Sequence, residues 1–222
     1  MRSGPVLTVA AQSIHVIAID KPSGWLTIPG RTGAPEKPVV FDVLQNQIGQ
    51  KLWVVHRLDF EVSGVLLFAK TADAHRSLCG FFESHAVIKT YEAFTEGRPP
   101  AQEQFLWESK LLRGKKRAYE SPHGKLSITE AFFNGLRTFP GIPSALAWSV
   151  LPRTGRAHQI RVHLASHGFP ILGDRLYGST LGLKENTIAL RAISLEFKSI
   201  RDAEDLGLST RICVPGSTSS IT

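Results

Sequence analysis

The sequence predicts an α+β fold, with a central mixed, largely antiparallel sheet flanked by helices. Three observations predict it. Short apolar runs of strand length recur along the chain. Only a few helix-length patterns lie between them, without a regular strand–helix–strand rhythm. Hydrophobic residues make up 42% of the 222, enough to bury a core and too many for a disordered chain.

The first strand is expected over Ile14–Ile19, apolar on both faces and therefore buried. A loop rich in breakers follows at Pro29–Pro35. Phe41, Leu44 and Ile48 then fall at i, i+3 and i+7, a short helix ended by Gly49. Leu52–Val55 reads as a strand, HRLDFEVSG as a loop and Val65–Ala69 as a buried strand. Thr71 is placed to cap a helix carrying Ala74, Leu78, Phe81 and Phe82 on one side. Val87–Phe94, Ile128–Phe133 and Ala145–Val150 read as strands. Ile160, His163, Leu164 and His167 mark a helix with Gly168 at its C′ position. Leu190, Ala192, Leu195 and Phe197 suggest a last strand with an irregularity between. These elements are expected to form a single domain over residues 1–214, with a flexible Ser/Thr/Gly-rich tail at 215–222.

Composition narrows the function classes. There are 26 Lys and Arg against 19 Asp and Glu, a net charge of +7. That surplus suits an anionic partner such as nucleic acid. No apolar run approaches the roughly 20 residues of a membrane span. The N-terminal residues lack the pattern of a signal peptide. Two cysteines, Cys79 and Cys213, make no disulfide framework. A reducing cytoplasm is the expected location.

Two segments stand out chemically. His56-Arg57-Leu58-Asp59 puts an imidazole, a guanidinium and a carboxylate in a loop between apolar strands, a rigid platform for side chains. The alternative is a polar turn with a surface ion pair. Arg153, Arg156 and Arg161 lie within nine residues at the entry to the predicted 160–167 helix, where free backbone N–H groups and guanidinium forks suit a phosphate. Here His158, Arg161 and Val162 share a helix side, and the alternative is an amphipathic helix with a solvated basic face. A metal reading of His163 and His167 lacks an acidic residue between them, and a satisfied core histidine is the competing reading of His163. Tyr91 is either a packed strand aromatic or a ring available for base stacking. Gly173–Gly178 reads as a structural loop with an Asp–Arg pair. Arg113, Lys115, Lys116 and Arg117 form a basic run, either a phosphate contact or a solvated hairpin. There is no P-loop, no GxGxxG and no GxSxG elbow.

Taken together, these segments resemble one family. HRLDFEVSGVLLFAKT resembles the catalytic signature of the RluA-type RNA pseudouridine synthases. VIAIDKPSGWLTIPG resembles their opening strand and loop, KTYEA their tyrosine motif, and TGRAHQIRVHLASHGFPILGDRLYG their third motif. The motifs stand in family order over residues 14 to 197. Val62 and Ala157 depart from threonines usual in the family, and Arg191 stands where relatives often carry His. With no RNA-binding module ahead of residue 14, the chain resembles the compact members.

The resemblance implies the pseudouridine synthase catalytic fold and isomerisation of uridine in RNA, with no cofactor and no metal. Asp59 matches the essential aspartate, acting either at carbon 1′ or on the proton at carbon 2′. Arg161 matches the arginine that pairs with it. Tyr91 matches the tyrosine that stacks on the flipped base, and Arg57 the arginine that replaces the uridine in the stack. His56, Arg153, Arg156 and His158 are the further candidates for RNA contact and base flipping. The expected partner is structured RNA, transfer and/or large-subunit ribosomal RNA. The expected state is a monomer away from membranes. A non-catalytic RNA binder on the same fold and a metal-dependent hydrolase using His163 and His167 are the rival readings.

Overall fold

The computed structural model describes residues 5–30 and 37–216. In chain order the elements are β1 (Thr8–Gln12), β2 (Val16–Lys21), α1 (Val40–Ile48), β3 (Trp53–Val54), β4 (Ser63–Ala69), α2 (Ala72–Glu83), β5 (Val87–Thr95), β6 (Gln104–Arg113), β7 (Ala118–Glu120), β8 (Lys125–Phe139), β9 (Ile142–Pro152), α3 (Gln159–Ser166), β10 (Leu190–Phe197), α4 (Ile200–Glu204) and β11 (Arg211–Cys213). They fall into two compact units, Met1–Ile88 with Ala192–Val214, and Lys89–Arg191 with Pro215–Thr222.

In the first unit the strand order is β1-β2-β4-β10, with β3 beside β4 and β11 beside β10. β2 and β4 pair antiparallel from Val16↔Ala69 to Lys21↔Gly64. Val16–Ile19 and Val65–Ala69 are all fully buried, the outcome of apolar residues on both faces of a strand. The helix after β4 starts as its sequence directs, with the Thr71 side chain accepting from the Ala74 N–H at 3.2 Å. At Gly64 the chain passes so close to β10 that a Cβ would lie 2.1 Å from the Ala192 carbonyl oxygen, and φ is +113°. Only glycine meets both conditions.

The second unit orders its strands β5-β9-β8-β6-β7, and each of these pairings is antiparallel. Its centre is Trp148, fully buried, with Phe105, Trp107, Phe133 and Phe169 ringed around it at 4.8–6.1 Å between centroids. The indole N–H donates to Thr95 Oγ1 at 2.9 Å, so the buried ring leaves no polar atom unpaired.

Several elements differ from the sequence reading. The first buried strand begins at Val16, because Ser13 closes a turn: its N–H donates to the Val16 carbonyl, and its Oγ accepts from the His15 and Val16 N–H groups. Ile14 is thereby left 77% exposed. An extra edge strand, β1, precedes it. β6 and β7 fill the stretch between the tyrosine motif and residue 125. β10 runs unbroken, and β11 pairs with it. Residues 31–35 of the Pro29–Pro35 breaker loop, and 217–222 of the tail, lie outside the described residues. Pro215, at the tail's start, accepts a hydrogen bond from Arg191 Nε at 2.7 Å.

The Gly64 packing yields a prediction. Gly64→Ala lowers the unfolding free energy by about 3 kcal/mol or more, from combined strain and overpacking. A urea titration checks this, and a loss under about 1 kcal/mol would contradict the packing described.

Candidate active site

The HRLD loop joins β3 to β4 in the first unit. It is fixed by hydrogen bonds from a neighbouring segment and by a turn of its own. Thr27 Oγ1 donates to the Leu58 carbonyl at 3.0 Å and lies 3.3 Å from the Leu58 N–H that it accepts. The Val62 N–H closes a turn onto the Asp59 carbonyl at 3.2 Å. His56 is held as well: its Nε2 accepts from the Leu67 N–H at 3.0 Å, and its ring stacks on Phe82 at 4.7 Å. That acceptor role places the proton of a neutral ring on Nδ1. Arg57, by contrast, is exposed and projects from this clamped loop.

Lys21, at the end of β2, was not singled out by the sequence reading. Its side chain is fully buried. The ammonium donates to the carbonyls of Trp25 at 2.7 Å, Pro22 at 3.0 Å and Phe60 at 3.3 Å. Three donors thus meet three acceptors on two loops, and the loop carrying Asp59 is tied to the loop after β2. Burial pulls the Lys21 pKa down to about 7, against the opposing pull of the nearby Asp59 and Glu61 carboxylates. The signal available in the sequence was a lysine two residues past an apolar run, behind Asp20.

The second unit carries the other candidates. Tyr91 lies on β5, in register with Val150 of β9. Two residues earlier, Lys89 donates to the Thr154 carbonyl at 3.2 Å, and burial lowers its pKa to about 8. The loop after β9 is knitted by Gln159, a buried residue that the sequence reading passed over. Its Oε1 accepts from Thr154 Oγ1 and the Arg156 N–H; its Nε2 donates to the Ile128 carbonyl and Thr129 Oγ1. Arg153 forms a two-pronged bridge to Glu130 at 2.9 and 2.7 Å. Arg156 Nε donates to the Leu126 carbonyl at 2.9 Å.

One helix expectation changes here, and one alternative falls. His158 is not on the helix face with Arg161. It precedes α3 with φ +54°, a left-handed residue to which helical periodicity does not apply. Nor does α3 present a solvated basic face, since Gln159–Leu164 are all buried. Arg161 is 2% exposed and grips Asp174, itself 1% exposed, through Nε at 2.7 Å and Nη2 at 2.8 Å. The Tyr177 ring lies 5.1 Å from the same guanidinium. Asp174 is thus partnered with Arg161 rather than with its sequence neighbour Arg175. His163 is a satisfied core histidine, Nδ1 at 2.8 Å from Thr129 Oγ1 and Nε2 at 3.0 Å from Ser109 Oγ. Burial lowers its pKa to about 4, so it is neutral at physiological pH.

Comparison with known proteins places these segments. The family described as RNA pseudouridylate synthase matches residues 15–166. The chain belongs to the RNA pseudouridylate synthase family. It is of the RluA type by its relatives. It is 33% identical over 210 residues to the "Dual-specificity RNA pseudouridine synthase RluA" of Vibrio vulnificus (strain CMCP6), covering 87% of this chain and 78% of that one. It is 33% identical over 183 residues to the "tRNA pseudouridine synthase C" of Pectobacterium carotovorum subsp. carotovorum, covering 78% of this chain but 48% of that relative, about half its length. Among solved structures, "Human RNA Pseudouridylate Synthase Domain Containing 1" superposes with a TM-score of 0.75 at 21% identity, over 97% of this chain and 86% of that one; this likeness shows the pseudouridine synthase fold. The family match takes in the HRLD loop, Tyr91 and α3, and ends before Asp174 and Tyr177.

Two predictions follow from the buried charges. The folded Lys21 titrates near 7 and the unfolded lysine near 10.4. Between those values the unfolded state binds more protons, so stability rises with pH. The unfolding free energy of the wild type therefore climbs relative to Lys21→Met between pH 7 and 10, as denaturant titrations at several pH values would show; a constant difference would contradict it. Arg161→Met leaves Asp174 buried without its cation and costs about 3–5 kcal/mol, read from the denaturant midpoint. A loss below about 1 kcal/mol would mean that the pair is not buried in solution.

Proposed function

We propose that this family member isomerises specific uridines in structured RNA, transfer and/or large-subunit ribosomal RNA, to pseudouridine. Its proposed setting is the cytoplasm, where it acts as a monomer and without a metal or organic cofactor. The observation that carries the reading is Asp59: a carboxylate in a clamped loop, beside a buried ammonium, within the segment that the family match covers.

The chemistry assigns each candidate a task. Asp59 acts on the ribose, either attacking carbon 1′ or removing the proton from carbon 2′. The N-glycosidic bond breaks, the uracil turns, and its carbon 5 bonds to carbon 1′, displacing Asp59 from that carbon or with the carbon 2′ proton returned; carbon 5 then loses its proton and N1 gains one. Arg161 is the arginine that the resemblance matches to the partner of the aspartate. Its attachment to Asp174 supports that role, because a guanidinium fixed by one buried carboxylate loses little freedom in meeting another. Tyr91 stacks on the extruded base and assists proton removal at carbon 5.

A uridine cannot turn inside a stacked helix, and extruding it costs a few kcal/mol. Arg57, projecting from a rigid loop, fills the gap with a planar group that stacks on neighbouring bases. Arg156 and Arg153 meet phosphates near the site, Arg153 at the expense of its bridge to Glu130. His56 and His158 are the further candidates for RNA contact and base flipping. Phosphate contacts offset the cost of extrusion and make binding salt-dependent.

The test is Asp59→Asn. This variant should keep the far-UV spectrum and the RNA affinity of the wild type and release no tritium from [5-³H]uridine-labelled RNA. Tritium release at more than about a hundredth of the wild-type rate would remove Asp59 from the chemistry.

A further inference from the structure

The basic run at 113–117 sits at the end of the hairpin formed by β6 and β7. The pairing runs Leu111↔Glu120, Leu112↔Tyr119 and Arg113↔Ala118, and the Gly114 N–H closes the end onto the Arg117 carbonyl at 2.9 Å. Gly114 is required there, since a Cβ would lie 2.9 Å from the Arg117 oxygen and 3.0 Å from the Tyr119 ring. Arg113, Lys115, Lys116 and Arg117 are all exposed. Among the described residues none of the four pairs with a carboxylate, and no Asp or Glu occurs between Glu108 and Glu120. Four cations concentrated in five residues without a counter-charge repel one another. The arrangement carries a standing cost that an anionic partner would remove.

The four do not share one task. Arg113 Nη1 donates to the Lys116 carbonyl and to His158 Nε2, both at 3.3 Å. An arginine can only donate, so His158 Nε2 accepts and its proton sits on Nδ1. Nδ1 then donates to the Tyr177 hydroxyl at 2.8 Å. That hydroxyl in turn accepts from the Ala118 N–H at 2.9 Å and donates to the Ala118 carbonyl at 3.1 Å. Below it, Leu111 and Ala118 pack on Val162 of α3 and on Tyr177. The hairpin is therefore bolted to the residue after Arg161 and to the ring beneath its guanidinium. Arg113, His158 and Tyr177 form the mount; Lys115, Lys116 and Arg117 are the cations it presents.

We infer that the β6–β7 hairpin is an arm that grips the phosphate backbone of the substrate RNA through Lys115, Lys116 and Arg117, with the Arg113–His158–Tyr177 chain fixing its position relative to Arg161. The inference rests on the proposed function, since it takes the partner to be the RNA that is modified. The contacts are to phosphates and so carry no base sequence; they set affinity and register.

The experiment compares three proteins: the wild type, the neutralised triple variant Lys115→Gln/Lys116→Gln/Arg117→Gln, and the charge-keeping triple variant Lys115→Arg/Lys116→Arg/Arg117→Lys. The probe is bulk RNA from cells lacking the protein. Affinity is measured across a salt series, and pseudouridine formation is followed on the same RNA. Neutralisation should weaken binding roughly 10- to 100-fold near 0.1 M salt and flatten the slope of log affinity against log salt by about 2 to 3. Turnover at saturating RNA should hold within about threefold, and the charge-keeping variant should match the wild type in affinity and slope. Unchanged affinity and slope in the neutralised variant, with the wild type forming pseudouridine, would overturn the inference and leave the proposed function standing. The expected loss of affinity with no product from the wild type would leave the arm standing as an RNA-binding element and overturn the proposed function.

Discussion

The second unit is organised around one buried ion pair. Arg161 and Asp174 are almost wholly removed from water and joined by two hydrogen bonds. Such a pair is not an efficient source of stability, because desolvating two charges costs about as much as their attraction returns. Its effect is geometric. A guanidinium held at two nitrogens has its plane fixed, and the chain segments carrying the two residues are fixed with it. These are α3 and the turn at 174–178, whose Tyr177 reaches the β6–β7 hairpin. One pair thus sets the positions of a helix, a turn and a basic arm.

The first unit solves a parallel problem with a single buried cation. The Lys21 ammonium satisfies its three donors on carbonyls. Those carbonyls come from the loop after β2 and from the loop carrying Asp59, so the cost of burying an ammonium is spent on placing that loop. The charge then acts a second time as an electrostatic neighbour of Asp59 and Glu61. Both units place an ionisable group by making a burial that would otherwise be unfavourable depend on one geometry.

Much of this was legible in the sequence, and the exceptions have physical reasons. The buried strands, the Thr71 cap and the helix ended before Gly168 were readable, because apolar runs and capping residues act locally. The HRLD loop and the arginine-rich third motif were readable as motifs. The edge strand β1 was not, since an exposed edge carries little alternation to detect. Strands β6 and β7 were not read because charges interrupt their apolar pattern, although a hairpin was one reading of the basic run between them. The Asp174 partner was missed because it lies 13 residues from Arg161, and local reading offered the adjacent Arg175. His158 was misplaced because a left-handed residue interrupts the helical phase one step before the helix begins. Lys21 and Gln159 were passed over because long polar side chains are expected at the surface; only three-dimensional structure shows which of them are turned inward.

The central claim is that this chain converts uridine to pseudouridine in cellular RNA. It is tested most directly by mapping pseudouridines at nucleotide resolution in total RNA from cells with and without the protein. The account predicts that one or a few sites in transfer or large-subunit ribosomal RNA lose the modification when the protein is absent and regain it when the wild type is restored. A map unchanged at every site would contradict it.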